Sequence, residues 1–286
     1  MAHDRVLACF EGAKVQELFT YLLLHRDRPH LREVLADILW ADSEGQSRKY
    51  LRQALWQLQR ALETGTEGAA SDVLCTDGDW IGINPNTALQ TDVAQLEYAW
   101  SLTSPLAGSA LDSAGADVLR RAVRLYRGDL LEACYQDWCL FERERLQHLY
   151  LGLLDKLMDY CEAHGHVEEA VQHGRHMLRF DRAHERTHRR LMRLHYLAGD
   201  RTAALRQYHE CAALLQAELG VAPARGTVAL YEQIRRDLVA GVAPRLDLGL
   251  PGRAAASMDH LVQQFDQMHV LLTRLQEQIT GAERRR

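Results

Sequence analysis

From residue 106 to residue 222 the chain carries no proline, and inside that stretch it repeats itself every 34 residues. Gly165 and Ala170 stand five apart, and so do Gly199 and Ala204, one repeat later; Leu157 and Leu191 keep the same offset. A 34-residue period of helix, turn and helix is the tetratricopeptide pattern, in which small residues at fixed places let paired helices approach closely. Tyr208 stands where that pattern wants a large aromatic residue. Two positions depart from it: Gly174 takes the equivalent aromatic place in the first unit, and His188 the tryptophan place in the second. Gly-containing turns at 127–129, 164–166 and 198–200 separate the predicted helices. The region is therefore expected to be a degenerate array of helical hairpins.

Proline breaks helices, so the prolines at 29, 85, 105, 223, 244 and 251 mark further boundaries. Two stretches read as linkers: the small, polar 104–117 and the Gly/Pro/Ala-rich 241–257. The expected organisation is an N-terminal domain over 1–90, a helical domain over 91–240, a linker over 241–257 and a helix over 258–286. A chain of 286 residues has room for this. Its formal net charge of −5 means that any nucleic-acid contact must come from a local patch. Six scattered cysteines form no C-x-x-C, as expected of free thiols in a reducing cytoplasm. No apolar run approaches the ~18 residues of a membrane span, so the protein is expected to be cytoplasmic with no membrane partner.

The N-terminal domain opens with three helical stretches, about 14–26, 31–40 and 46–63. Ser43-x-x-Gln46 has the form of a capping box before the third. Two β-rich runs follow, Val73–Thr76 and Trp80–Ile83, around a Gly-containing turn, which predicts a hairpin. Three helices and a hairpin make the plan of a winged helix-turn-helix. On the third helix Leu51, Leu55, Leu58 and Leu62 form the core stripe. Lys49, Gln53, Trp56 and Arg60 lie opposite, with Arg52 and Gln57 on the flanks. From Gln46 to Leu62 there are four basic residues, the fourth being Arg48, and no acid. Arg and Lys can donate to guanine O6/N7 or to phosphate, and Gln suits adenine. An amphipathic helix with a solvated basic face would look similar; the missing acids, the preceding turn and the hairpin favour DNA. Trp56 has two readings: contact with thymine methyls or sugars, or packing against the wing or the first helix.

His184-Glu185-Arg186-Thr187-His188 matches H-E-x-x-H, in which two His on one helix face share a zinc and the Glu acts as general base. Three fixed residues are a weak signal in a chain of 14 His, and no H-x-x-G-x-x-H form continues it. The repeat register turns His188 toward the neighbouring helix, with Asp181 as the expected N-cap. The structural reading is preferred: no catalytic residue, metal ligand or cofactor site is assigned, and the chain is read as a non-enzyme.

The run LLLHRDRPHLREVLADILWADSEGQSRKYLRQALWQLQRAL (22–62) and its hairpin resemble the OmpR-type DNA-binding domain of the SARP family of bacterial transcriptional activators. YRGDLLEACYQDWCLFERERLQ and HRRLMRLHYLAGDRTAALRQYHECAALLQAELGVAP resemble that family's bacterial transcriptional activation domain. The likeness covers roughly 15–238. It implies a mainly α protein: a winged helix-turn-helix, a tetratricopeptide-like repeat domain and a C-terminal heptad-patterned helix. It also implies an activator that binds double-stranded DNA at promoter repeats, often as a dimer, and contacts RNA polymerase. The matching recognition surface is Lys49, Arg52, Gln53, Trp56 and Arg60, with Arg48 on the backbone. The acidic wing tip Asp77-Gly78-Asp79 departs from a basic tip. The short N-terminus has room for only one strand of the usual sheet, such as Val6–Phe10, and no P-loop pattern occurs.

Beyond the second linker, Leu261, Phe265, Met268, Leu272, Leu275 and Ile279 follow at steps of 4, 3, 4, 3 and 4, a heptad seam. Self-association through that seam would pair two DNA readers; a helix folding back on the repeats is the other reading. The competing function is a tetratricopeptide scaffold that binds protein, with weak or no specific affinity for DNA.

Overall fold

The computed structural model describes residues 12–238 apart from 42, 44, 66–72 and 88. The strand expected within 6–10 and the heptad helix of 258–286 lie outside the described residues. The first unit opens with α1 (Ala13–Leu24), which buries Val15, Leu18, Phe19 and Leu22 at helical spacing. A two-residue strand, β1 (His30–Leu31), runs directly into α2 (Arg32–Leu39). After a turn through Gly45, whose φ is +70°, comes α3 (Ser47–Gly65). The hairpin β2 (Leu74–Asp77) and β3 (Trp80–Ile83) follows. The sheet has the order β1-β3-β2, all antiparallel, with His30 opposite Ile81 and Asp77 opposite Trp80. One hydrophobic core joins these elements: α1, Leu35, Ala36 and Leu39 of α2, the leucine stripe of α3, and Leu74, Ile81 and Ile83 of the sheet.

The repeat region runs α4 (Asp92–Thr103), α5 (Ser113–Leu125), α6 (Asp137–Ala163), α7 (Val167–Phe180), α8 (Glu185–Leu197), α9 (Arg201–Leu219) and α10 (Arg225–Arg235). Side-chain caps start three of these helices: Thr91 accepts from the Ala94 amide, Asp112 from Gly115 and Asp200 from Ala203. The 34-residue repeat is realised as two hairpins, α6–α7 and α8–α9. Gly165 and Gly199 sit between the helices at φ of +73° and +80°, which side chains with a Cβ resist. The bonds His166 N–H to Cys161 and Asp200 N–H to His195 close both turns six residues to one. Ala170, Ala204, Leu157 and Leu191 are all fully buried. Tyr208 stacks on Tyr231 of α10 at 4.1 Å between ring centroids. Gly174 has a packing reason: a Cβ there would meet Leu191 Cδ2 at 2.8 Å.

Three local expectations are corrected. The Ser43 hydroxyl donates to the Trp40 carbonyl, at the end of α2 instead of the start of α3. Asp181 is not the N-cap of α8, a place held by His184; its carboxylate accepts from the Ala183 amide one turn earlier. The 104–117 stretch is not a tether. It holds a short 3-10 turn (Gly108–Ala110) and the first turn of α5, and a Cβ on Gly108 would lie 2.4 Å from the Lys156 carbonyl oxygen. Its small residues serve close packing, not freedom.

The described residues belong to one compact unit with two main cores. At the start of α6, Trp138 packs on the first core and meets Tyr21 edge-on at 5.3 Å. Beside it the Gln136 amide donates to the Leu39 carbonyl, at the C-terminus of α2, over 2.8 Å.

Candidate nucleic-acid interface

Helix α3 is long enough to have two faces with different duties. Leu51, Ala54, Leu55, Leu58 and Leu62 are buried, and this seam fixes the helix on the core. Arg48, Lys49, Arg52, Gln53, Trp56 and Arg60 are all exposed on the remaining surface. Lys49, Gln53, Trp56 and Arg60 advance by four, three and four residues and so form one stripe. At about 1.5 Å per residue that stripe is roughly 16 Å long, the scale of a major-groove contact.

Trp56 is 57% exposed. The Arg60 guanidinium lies over its ring at 5.3 Å from the centroid. The aromatic face thus orients a cation on the surface. Arg48 is different: it forms an ion pair with Glu33 of α2. Both partners are well exposed, so the pair is weak and can open toward a phosphate.

The wing turns tightly, with Gly78 at φ +56° as the first of two loop residues between the paired Asp77 and Trp80. Its acidic tip is not isolated from positive charge. Arg32, the first residue of α2, donates through Nε to the Gly78 carbonyl at 3.2 Å, and its backbone N–H donates to Asp79 O at 2.8 Å. Sequence reasoning missed both Arg32 and Glu33 as neighbours of the interface. The only signal was the two-residue strand before α2, too short to read from alternation.

The H-E-x-x-H residues are used in holding α8. His188 is fully buried; one ring nitrogen lies 2.8 Å from the Arg182 carbonyl and the other 2.7 Å from the Gln207 amide. Glu185 accepts from the Ala224 amide at the start of α10, at 2.7 Å. His184 shares a hydrogen bond with Thr187. Each of the three is engaged by a neighbouring protein group.

A winged helix with an exposed basic third helix, followed by tetratricopeptide-like hairpins, is the architecture of a class of bacterial regulators. The family model described as "Bacterial transcriptional activator domain" matches residues 92–235, half of the chain. The chain belongs to this family and is similar to the SARP-type transcriptional regulators. Among curated proteins it is similar to the regulatory protein AfsR of Streptomyces coelicolor, 28% identical over 219 residues. That match covers 76% of this chain and 21% of the relative, so the chain spans about a fifth of AfsR's length. Among solved structures it is similar in fold to Mycobacterium tuberculosis EmbR, determined in complex with a low-affinity phosphopeptide. The TM-score is 0.64 at 18% identity, covering 80% of this chain and 61% of that one. Among the described residues, no helix is long and apolar enough to cross a membrane.

Proposed function

We propose that this protein is a sequence-specific DNA-binding activator that reads promoter repeats through α3. The observation that carries the reading is the acid-free, exposed stripe Lys49–Gln53–Trp56–Arg60, flanked by Arg52, on a helix whose opposite side is locked into the core. Arg52 and Gln53 reach base edges, Lys49, Arg60 and Arg48 serve phosphates, and Trp56 contacts sugars or thymine methyls. Arg32 partly offsets Asp77 and Asp79 where the wing meets the backbone.

On this reading the DNA-binding domain is 1–90, the activation domain 91–240, and 241–257 tethers a dimerising helix over 258–286 through Leu261, Phe265, Met268, Leu272, Leu275 and Ile279. A dimer couples two modest sites into one useful affinity. RNA polymerase is the partner of the activation domain, and the cytoplasm is where the protein works.

Selection of fragmented genomic DNA on the purified chain, at two salt concentrations and beside Lys49→Ala/Arg52→Ala, tests this. Recovery of a repeated motif that the double variant loses is the expected result. Recovery without sequence preference, equal in both proteins, overturns it and leaves the scaffold reading, which the acidic wing tip favours.

A further inference from the structure

Four residues with metal-binding side chains cluster at the α6–α7 turn, far along the chain from α3. Cys161 is in the last turn of α6; His166, Glu169 and His173 follow from the start of α7, as C-x4-H-x2-E-x3-H. Glu169 and His173 are one turn apart on the same side of α7, and the left-handed Gly165 folds Cys161 over them. The Cys161 Sγ, a Glu169 carboxylate oxygen and a His173 ring nitrogen all lie within 4.8 Å of one another. His166 Nδ1 is 3.9 Å from the other Glu169 oxygen.

The His173 ring sets this cluster apart from a closed hydrogen-bond network. The His173 Nε2 is buried and makes no hydrogen bond; it stands 3.5 Å from Glu169 Oε1 without the alignment of one. Cys161 is fully buried, with its sulfur beside the Glu169 carboxylate and the His173 ring. The His173 nitrogen lacks the partner that a cation would be. The Glu169 carboxylate is already oriented: Arg120 of α5 donates to its two oxygens at 2.5 and 2.8 Å. Each carboxylate oxygen has a further lone pair, so Arg120 can hold the group while it ligates, the usual service of an outer partner.

We propose that Cys161, Glu169 and His173, with His166 as the fourth ligand, bind one divalent cation of the zinc type. One sulfur, two imidazoles and a carboxylate suit a borderline-soft, tetrahedral ion. Bonds of about 2.0–2.3 Å place such ligands roughly 3.3–3.8 Å apart, so the cluster closes with a contraction of about 1 Å. On binding, the Cys161 S–H bond breaks, the proton leaves to solvent and the sulfur pair goes to the metal. The ion then pins the α6–α7 hairpin. This site is separate from the DNA-binding reading, and the H-E-x-x-H residues take no part in it.

The test is titration of the reduced, metal-free full chain with Co²⁺, a coloured stand-in for Zn²⁺. The expected result is one ion per chain, a thiolate-to-cobalt charge-transfer band, bleaching of that band by Zn²⁺, and a higher thermal midpoint. Cys161→Ser should abolish the band, while His173→Gln should weaken binding at least tenfold and Cys75→Ser should change nothing. His173→Gln decides the matter if Cys161→Ser fails to fold, because its side chain lies at the edge of the core. Absence of the band in the wild type, or its persistence at full affinity in His173→Gln, overturns the proposal.

Discussion

Gly174 carries a constraint that its residue type conceals. It stands where the repeat pattern places an aromatic, yet α7 crosses so close to α8 and α6 that a Cβ would meet Leu191 at 2.8 Å and Met158 at 3.1 Å. Gly174→Ala is expected to cost about 1–3 kcal/mol, as overpacking does, measurable by urea unfolding. The general gain in helix propensity from Ala makes the sign informative, since an unhindered site would be stabilised instead. Glu169 gives a second prediction. The Arg120 guanidinium bonded to it holds its carboxyl at about 2, below the ordinary carboxylate range. A depressed folded pKa stabilises the fold in full above the unfolded value of about 4.5, and that stability drains away as pH falls through about 2. Arg120→Ala should lower stability at neutral pH by about 1–3 kcal/mol and flatten the acid limb of a stability–pH curve. At this scale the sequence was partly legible. His188 was read as structural from its register, whereas the Cys161–His173 cluster was not seen, because its members straddle a helix, a turn and the next helix.

Among elements, α3 was legible because length, period and charge agree: the leucine stripe is buried and the basic stripe is exposed. The hairpin was legible from its β-rich runs and Gly78. The two-residue β1 was not, since two residues carry no alternation. The 104–117 stretch misled for a physical reason: small residues that permit contact look the same as small residues that permit motion. The joint between the cores was silent too. Trp138 and Gln136 make it, and nothing local marks a tryptophan as destined for another core. Trp138→Ala is expected to lower stability by about 1–3 kcal/mol and to split thermal unfolding into two transitions, read by calorimetry. Beside the joint, Arg143 donates to the carbonyls of Leu130, Leu131 and Cys134, and Leu131 is held at φ +45°. Three carbonyls depend on one guanidinium, so Arg143→Ala should cost about 2–3 kcal/mol and raise proteolysis in 127–135.

On the proposed reading, the whole molecule joins a reader, a helical array and a second reader supplied by a partner copy. A chain ending at residue 240 is expected to fold as before but to run as a monomer by light scattering, with affinity for a two-site operator reduced by at least tenfold. The same oligomeric state for the full and shortened chains would rule the dimer out. Whether α3 reads bases is decided by measuring affinity for every single-base variant of the selected operator with wild type, Arg52→Ala and Gln53→Ala. Each protein variant is expected to lose about 1–3 kcal/mol of discrimination at one or two positions and to keep it elsewhere. Uniform weakening at all positions would show that these side chains touch only the phosphate backbone, and would contradict base reading by α3.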